Sequence, residues 1–280
     1  MPNVEFLPAN KCIYCRTSDA ELSNEHIVAL SLGGKFILPS ASCSACSVIT
    51  AKLEQNFTRQ SLGEVRSFYE MPTRRKIERT KFVKVNVLYG KYGPTGEIDI
   101  PISEAPIHYI IPSYNVKKRD EDGLGSVGTL TAQHLPNSLQ DVKFQSLMRK
   151  HKVYSMTVEA CGILVGNFER VLWKIVLGIG WHYFPKSLNF SKISEMVLGV
   201  KSCLFESDPD GELLLKNIYS LPRHPQNYSD ARLAIFTKID EDHRFIYVEI
   251  DFFANLGFPL YFLPNVDTEL DQRYDFVCGD

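Results

Sequence analysis

The most regular apolar pattern in the chain lies at Phe168, Val171, Leu172, Ile175, Val176 and Ile179. These positions fall at i, i+3, i+4, i+7, i+8 and i+11, a spacing that keeps one face of a helix apolar over three turns. Asn167 predicts its N-terminal cap. The stripe reads as core rather than as a cofactor box. A second helix is predicted with Ser191 as N-cap and Ile193, Met196, Val197 and Val200 inward. Trp181, His182, Tyr183 and Phe184 between the two read as packing aromatics. Strand-like runs bracket this helix pair, at 82–88, 98–102, 108–111 and 153–165, and again at 231–239, 245–253 and 258–263. The acidic stretch 240–244 reads as a hairpin turn. From 113 to about 141 the chain is hydrophilic and predicts a flexible loop. Within it Gly123-Leu124-Gly125-Ser126-Val127-Gly128 matches G-x-G-x-x-G as a string, but no strand is predicted before it and no helix after it, so it is not read as a nucleotide site. The expected class is α+β, with antiparallel strands and a helix pair.

The 280 residues suffice for one large or two ordinary domains, and 44% hydrophobic with 23% charged residues is a globular composition. The longest apolar run, 171–184, is interrupted by Lys174 and too short to span a bilayer, so no membrane partner is expected. The first ten residues lack a basic segment followed by an apolar core, which predicts no secretory leader. Seven cysteines, three of them scattered at Cys161, Cys203 and Cys278, fit a reducing, cytoplasmic compartment better than a disulfide framework.

Charge is uneven. The net value is −2, yet residues 1–92 carry thirteen Lys and Arg against eight Asp and Glu, and the remainder is acidic. The densest basic run is 71–84, in which Arg74, Arg75, Lys76 and Arg79 are candidate contacts to nucleic-acid phosphates. The competing reading of that run is a solvated connector or a charged strand edge.

The chemistry concentrates near the start of the chain. Cys12-Ile13-Tyr14-Cys15 and Cys43-Ser44-Ala45-Cys46 are two Cys-x-x-Cys pairs, and two such pairs complete a tetrahedral four-cysteine zinc site. Zinc would staple a segment too short to bury a core of its own. The 27 residues between the pairs leave room for structure. Glu25 and His26 sit there, one a hard oxygen ligand suited to Mg2+ or Mn2+, the other a base that titrates near neutrality. Gly33-Gly34 predicts a turn, 36–38 a short strand that stops at Pro39, and Ser42 the cap of a helix over about 43–57.

Taken together, CIYC, NEHIVALSLGG and LPSASCSACSVIT resemble the HNH endonuclease family of the ββα-metal class in its zinc-stapled form, over about residues 10–60. The resemblance implies an N-terminal HNH-like zinc module at 1–65; charge and pattern divide the rest into a basic connector at 66–92 and an α+β domain at 93–280 of unknown role, in substrate, partner or trigger recognition. It implies metal-dependent phosphodiester hydrolysis, above all of DNA, in contexts such as restriction or anti-phage defence. By the resemblance His26 is the general base, and Glu25 is an acidic ligand of a catalytic Mg2+, Mn2+ or Ni2+ distinct from the structural zinc. The family's His or Asn after the last cysteine is Ser47 here, which would be the second ligand, and no Asn lies between His26 and Cys43. Glu54 is two helical turns beyond Ser47, roughly 10 Å along the axis, a distance suited to holding a neighbouring group rather than the ion. The departures define a second reading, an HNH-fold zinc module without catalysis that binds nucleic acid or a partner protein. A protein activator and an oligomer are both compatible with either reading.

Overall fold

The segment between the cysteine pairs folds into a hairpin closed by a helix in the computed structural model. This structure describes residues 3–71, 79–119, 123–134, 141–157, 165–183, 190–199, 219–221, 233–240, 245–252, 258 and 260–265. Arg74, Arg75 and Lys76, the three scattered cysteines and the acidic turn after Asp240 lie outside the described residues. Strand β1 (Val4–Glu5) runs parallel to β3 (Phe36–Cys43), whose other edge pairs antiparallel with β2 (Leu22–His26). Strand β3 does not stop at Pro39 as expected. The register steps from Ser23 opposite Ser42 to Glu25 opposite Leu38, so β3 carries two extra residues as a bulge. A proline lacks the N–H that a regular ladder needs, and a bulge is a place where that donor is not required. Ser40 in the bulge has φ +49°, and its N–H donates to Asn24 Oδ1 at 3.3 Å. The glycine pair in the turn is demanded by space: Gly33 has φ +85°, and a Cβ on Gly34 would lie 2.1 Å from the Val28 carbonyl oxygen.

Helix α1 (Ser44–Asn56) begins with Cys43, not Ser42, at the N-cap, and no side chain caps it. It leads through a wide π turn, Phe57–Ser61, into the short α2 (Gly63–Phe68). Next come β4 (Phe82–Leu88), paired with both β5 (Thr95–Pro101) and β8 (Ser155–Thr157). The expected loop after 113 is instead a two-stranded ribbon of β6 (His108–Arg119) and β7 (Gly123–His134), in continuous antiparallel register. A two-stranded ribbon has no second layer along its whole length to enforce apolar alternation, so its composition reads as loop. The G-x-G-x-x-G string lies on β7. Helix α3 (Asp141–His151) had no expectation attached to it. The two predicted helices are α4 (Val165–Tyr183) and α5 (Phe190–Leu198), and a last antiparallel sheet has the order β10 (Leu233–Asp240), β11 (Phe245–Phe252), β12 (Leu260–Asn265), β9 (Tyr219–Leu221). The fold is thus mixed α+β with antiparallel sheets. No helix among the described residues is long and apolar enough to cross a membrane.

One hydrophobic cluster joins the N-terminal hairpin to α4, α5 and the last sheet, running from Cys12 and Ile27 through Phe57 and Phe168 to Phe258 and Tyr261. The predicted stripe of α4 is buried, and so are Trp173 and Leu177 between its positions. A helix buried on all sides marks the centre of a core rather than its lid. Its contacts with the zinc-stapled segment are close. Phe57 and Phe168 rings lie 5.5 Å apart, Phe6 stacks on His182 at 4.0 Å, and Ser194 Oγ of α5 donates to the Ile13 carbonyl at 3.2 Å.

Candidate active site

The four predicted thiols converge. The Sγ atoms of Cys12, Cys15, Cys43 and Cys46 all lie within 4.8 Å of one another, and Cys15 and Cys43 are 3.6 Å apart. A tetrahedron with Zn–S bonds of about 2.3 Å has S···S edges of roughly 3.8 Å, so the donor set fits a structural zinc. Two loops and a helix start bring it together: one pair sits on the turn before β2, and the other straddles the first turn of α1. Burial alone would raise the Cys43 thiol, but the Cys46 backbone N–H and the neighbouring thiols outweigh it and bring it down to about 7. Burial and the same neighbours push Cys46 the other way, upward. A sulfur at a helix N-terminus therefore gives up its proton first, as a thiolate ligand must.

Glu25 and His26 are neighbours at the end of β2 and obey strand alternation. Glu25 is buried, 7% exposed, on the face toward α4. There Lys174 Nζ donates to Glu25 Oε1 at 2.6 Å and to Glu54 Oε1 at 2.8 Å, and also to the carbonyl of His26. Lys174 is 2% exposed. Burial would lower its pKa, but the charges of Glu25 and Glu54 and their hydrogen bonds outweigh that and raise it, so it is a cation at any physiological pH. The Tyr14 hydroxyl is buried in the same neighbourhood. Its ionisation is pushed well above the usual range, first by burial and then by the charges of Glu25 and Glu54.

His26 faces the other way. It is half-buried and borders a cleft of about 960 Å³ whose walls include Glu54, Arg59, Arg66, Ser67 and Arg79. Its Nδ1 is buried and, among the described residues, has no hydrogen-bond partner. Arg66 is aimed by two carbonyls, with Nε donating to Ser31 at 2.8 Å and Nη1 to Thr58 at 3.2 Å. Arg79 is aimed likewise, with Nη2 donating to the Glu70 and Met71 carbonyls, each at 2.8 Å. The pKa of Arg66 is lowered by burial and then by the charges of Arg59 and Arg79. Three guanidinium groups lining one cleft, beside the Glu54 carboxylate, offer the planar donors that suit a phosphate.

Residues 12–62 match the HNH endonuclease family model. No curated protein and no solved structure matches the chain. The match covers the HNH hairpin, both zinc pairs, α1 and the π turn, and it supports a nuclease-type function for this module. It ends before Arg66, Arg79 and Lys174. Of the residues that the family resemblance assigns to the site, His26 reaches the cleft, whereas Glu25 turns to Lys174. Ser47 is absent from the cleft wall, and its Oγ donates to the Ser44 carbonyl at 2.8 Å. Arranged in this way, Glu25 and Ser47 do not present the donor set of a divalent ion. Arg79 stands in the cleft wall. Arg59 and Arg66 belong to the basic N-terminal third, outside its densest run, and their place in the cleft came only with the fold. Lys174 carried one signal, a charge inside an otherwise apolar helix.

Proposed function

We propose that the chain is an HNH-type nuclease that hydrolyses phosphodiester bonds in DNA at the cleft bordered by His26. The observation that carries this reading is the meeting of an imidazole with three arginines in one cleft within and beside a segment matching the HNH endonuclease model. Arg59, Arg66 and Arg79 hold the phosphate and take up the charge that grows on its oxygens in the transition state. His26 accepts a proton from a water molecule as the water oxygen bonds to phosphorus. The bond to the leaving oxygen breaks, and that oxygen leaves with a proton from solvent. Buried Glu25 and Lys174, with Glu54 at the cleft edge, tie the strand end and α1 to α4 and so help fix where His26 points. In the HNH family a divalent ion supplies further stabilisation of the leaving group. The test is cleavage of supercoiled plasmid at low salt by wild type and His26→Ala, with single-stranded DNA and RNA as competing substrates. Loss of general-base catalysis should slow cleavage by about 10²- to 10⁴-fold. A His26→Ala protein that cuts as fast as wild type refutes the assignment.

The engagement of Glu25 by Lys174 favours a second reading, a nucleic-acid-binding HNH module without catalysis. Its mark is salt-dependent DNA binding through the same arginines with no cleavage under any divalent ion.

A further inference from the structure

Four oxygen atoms from the HNH module converge on a single buried point. They are Glu25 Oε1, Glu54 Oε1 and the carbonyl oxygens of His26 and Ile27. Two carboxylates and two carbonyls are a hard-oxygen set of the kind that holds Mg2+, Mn2+ or Ca2+. Lys174 Nζ occupies that point, at 2.6 Å, 2.8 Å and 3.4 Å from Glu25, Glu54 and Ile27 and within hydrogen-bond reach of His26. We infer that Lys174 is a built-in cation that fills an oxygen cage belonging to the HNH hairpin and keeps divalent ions off Glu25.

Three features of the structure support this. The lysine comes from α4, far outside the segment that matches the family model, so its ammonium is brought into the HNH module from elsewhere in the chain. Its helix lies close against the residue after β2: a Cβ on Gly178, one turn along from Lys174, would lie 2.9 Å from Ile27 Cγ1. The balance of charge is also telling. Two carboxylates face one ammonium, so the cage is already attractive to a cation of higher charge, and only occupancy by Nζ keeps one out. An ammonium offers three N–H donors, and the four oxygens around it share them, so the point between them is taken by Nζ. A divalent ion could enter only by displacing the lysine, which is 2% exposed.

The inference rests on the geometry of the cage, not on whether the cleft hydrolyses DNA, and its test reads ion binding. Zinc-loaded full-length protein is titrated with Mn2+, and free Mn2+ is followed by its paramagnetic resonance signal. Wild type and Glu25→Gln should bind Mn2+ identically. Wild-type binding that disappears in Glu25→Gln overturns the inference, and this arm requires no change at Lys174. Lys174→Met should gain one Mn2+ site at least about tenfold tighter than any in wild type, and adding Glu25→Gln should abolish it. Mn2+ should raise the melting temperature of Lys174→Met and leave that of wild type unmoved. Should Lys174→Met not fold alone, its refolding from urea should become dependent on Mn2+, while the neutral triple variant Lys174→Met, Glu25→Gln, Glu54→Gln folds without the ion. A folded Lys174→Met protein with no new site, or one that Mn2+ fails to rescue when the triple variant folds, refutes the inference. Plasmid cleavage is scored separately, so failure of the nuclease reading leaves the outcome for the cage legible.

Discussion

Glu169 offers a direct measurement of what burial costs in this core. It lies on α4, is 3% exposed, and accepts a hydrogen bond from the Tyr114 hydroxyl at 3.1 Å, while its Oε2 has no partner. Burial raises its pKa from 4.5 to about 7, against the smaller downward pull of the Tyr114 hydrogen bond. The native state therefore holds the proton more tightly than the unfolded chain does. The stability this confers is complete below the unfolded value and is lost as pH rises through the folded one, then changes no further. The gap corresponds to about 3 kcal/mol over the full window, of which about 1.4 kcal/mol falls between about pH 6 and pH 8.5, a range in which zinc stays bound. Glu169→Gln keeps an oxygen for Tyr114 and removes the titration. Urea unfolding of both proteins at constant ionic strength and saturating zinc should show the variant gaining on wild type by that amount across the range. A difference that is flat in pH, or a variant that loses ground as pH rises, refutes the assignment of a buried neutral carboxyl at the α4–β6 contact.

Gly178→Ala places a methyl 2.9 Å from Ile27 Cγ1 and 3.1 Å from Cγ2. Overpacking should cost about 1–3 kcal/mol, more than the roughly 1 kcal/mol that alanine gains by helix propensity, and a variant more stable than wild type by denaturant unfolding would refute the close approach. Cys43→Ser should abolish stoichiometric zinc, read by metal analysis, together with the cooperative melting of the module, because zinc binding and folding of a stapled segment are one equilibrium. Arg59→Gln should weaken DNA binding about equally for all sequences and lower the slope of log K against log salt by about one. An unchanged slope in a filter-binding titration would remove Arg59 from the phosphate contacts.

What could be read in the chain beforehand was local. Two Cys-x-x-Cys pairs, a Glu-His step and a Gly-Gly turn each act over a few residues, and the zinc cluster and the ββα order follow from them. The apolar stripe of α4 was equally plain, since its period comes from the helix itself. Lys174 is the counterexample. Its partners Glu25 and Glu54 lie more than a hundred residues away, so no spacing rule joins them, and its only trace was an ammonium among apolar neighbours that had to find anions somewhere. The β6–β7 ribbon was missed for the opposite reason, because its polar composition and glycines carry the vocabulary of a loop. Pro39 misled at shorter range: it ends a regular strand, but β3 absorbs it in a bulge.

The lysine also sets an order of events during synthesis. Residues 25 and 54 leave the ribosome well before residue 174, and the 120 residues from Glu54 to Lys174 take about 6–24 s to translate at about 5–20 residues per second. Over that interval Glu25 and Glu54 have no Lys174 to pair with. The thiols can capture zinc at once, because all four are already present, whereas the neighbouring carboxylates must stay in water until α4 arrives. All four thiols are therefore complete before the lysine exists, and Glu25 and Glu54 are the last of these groups to meet their partner.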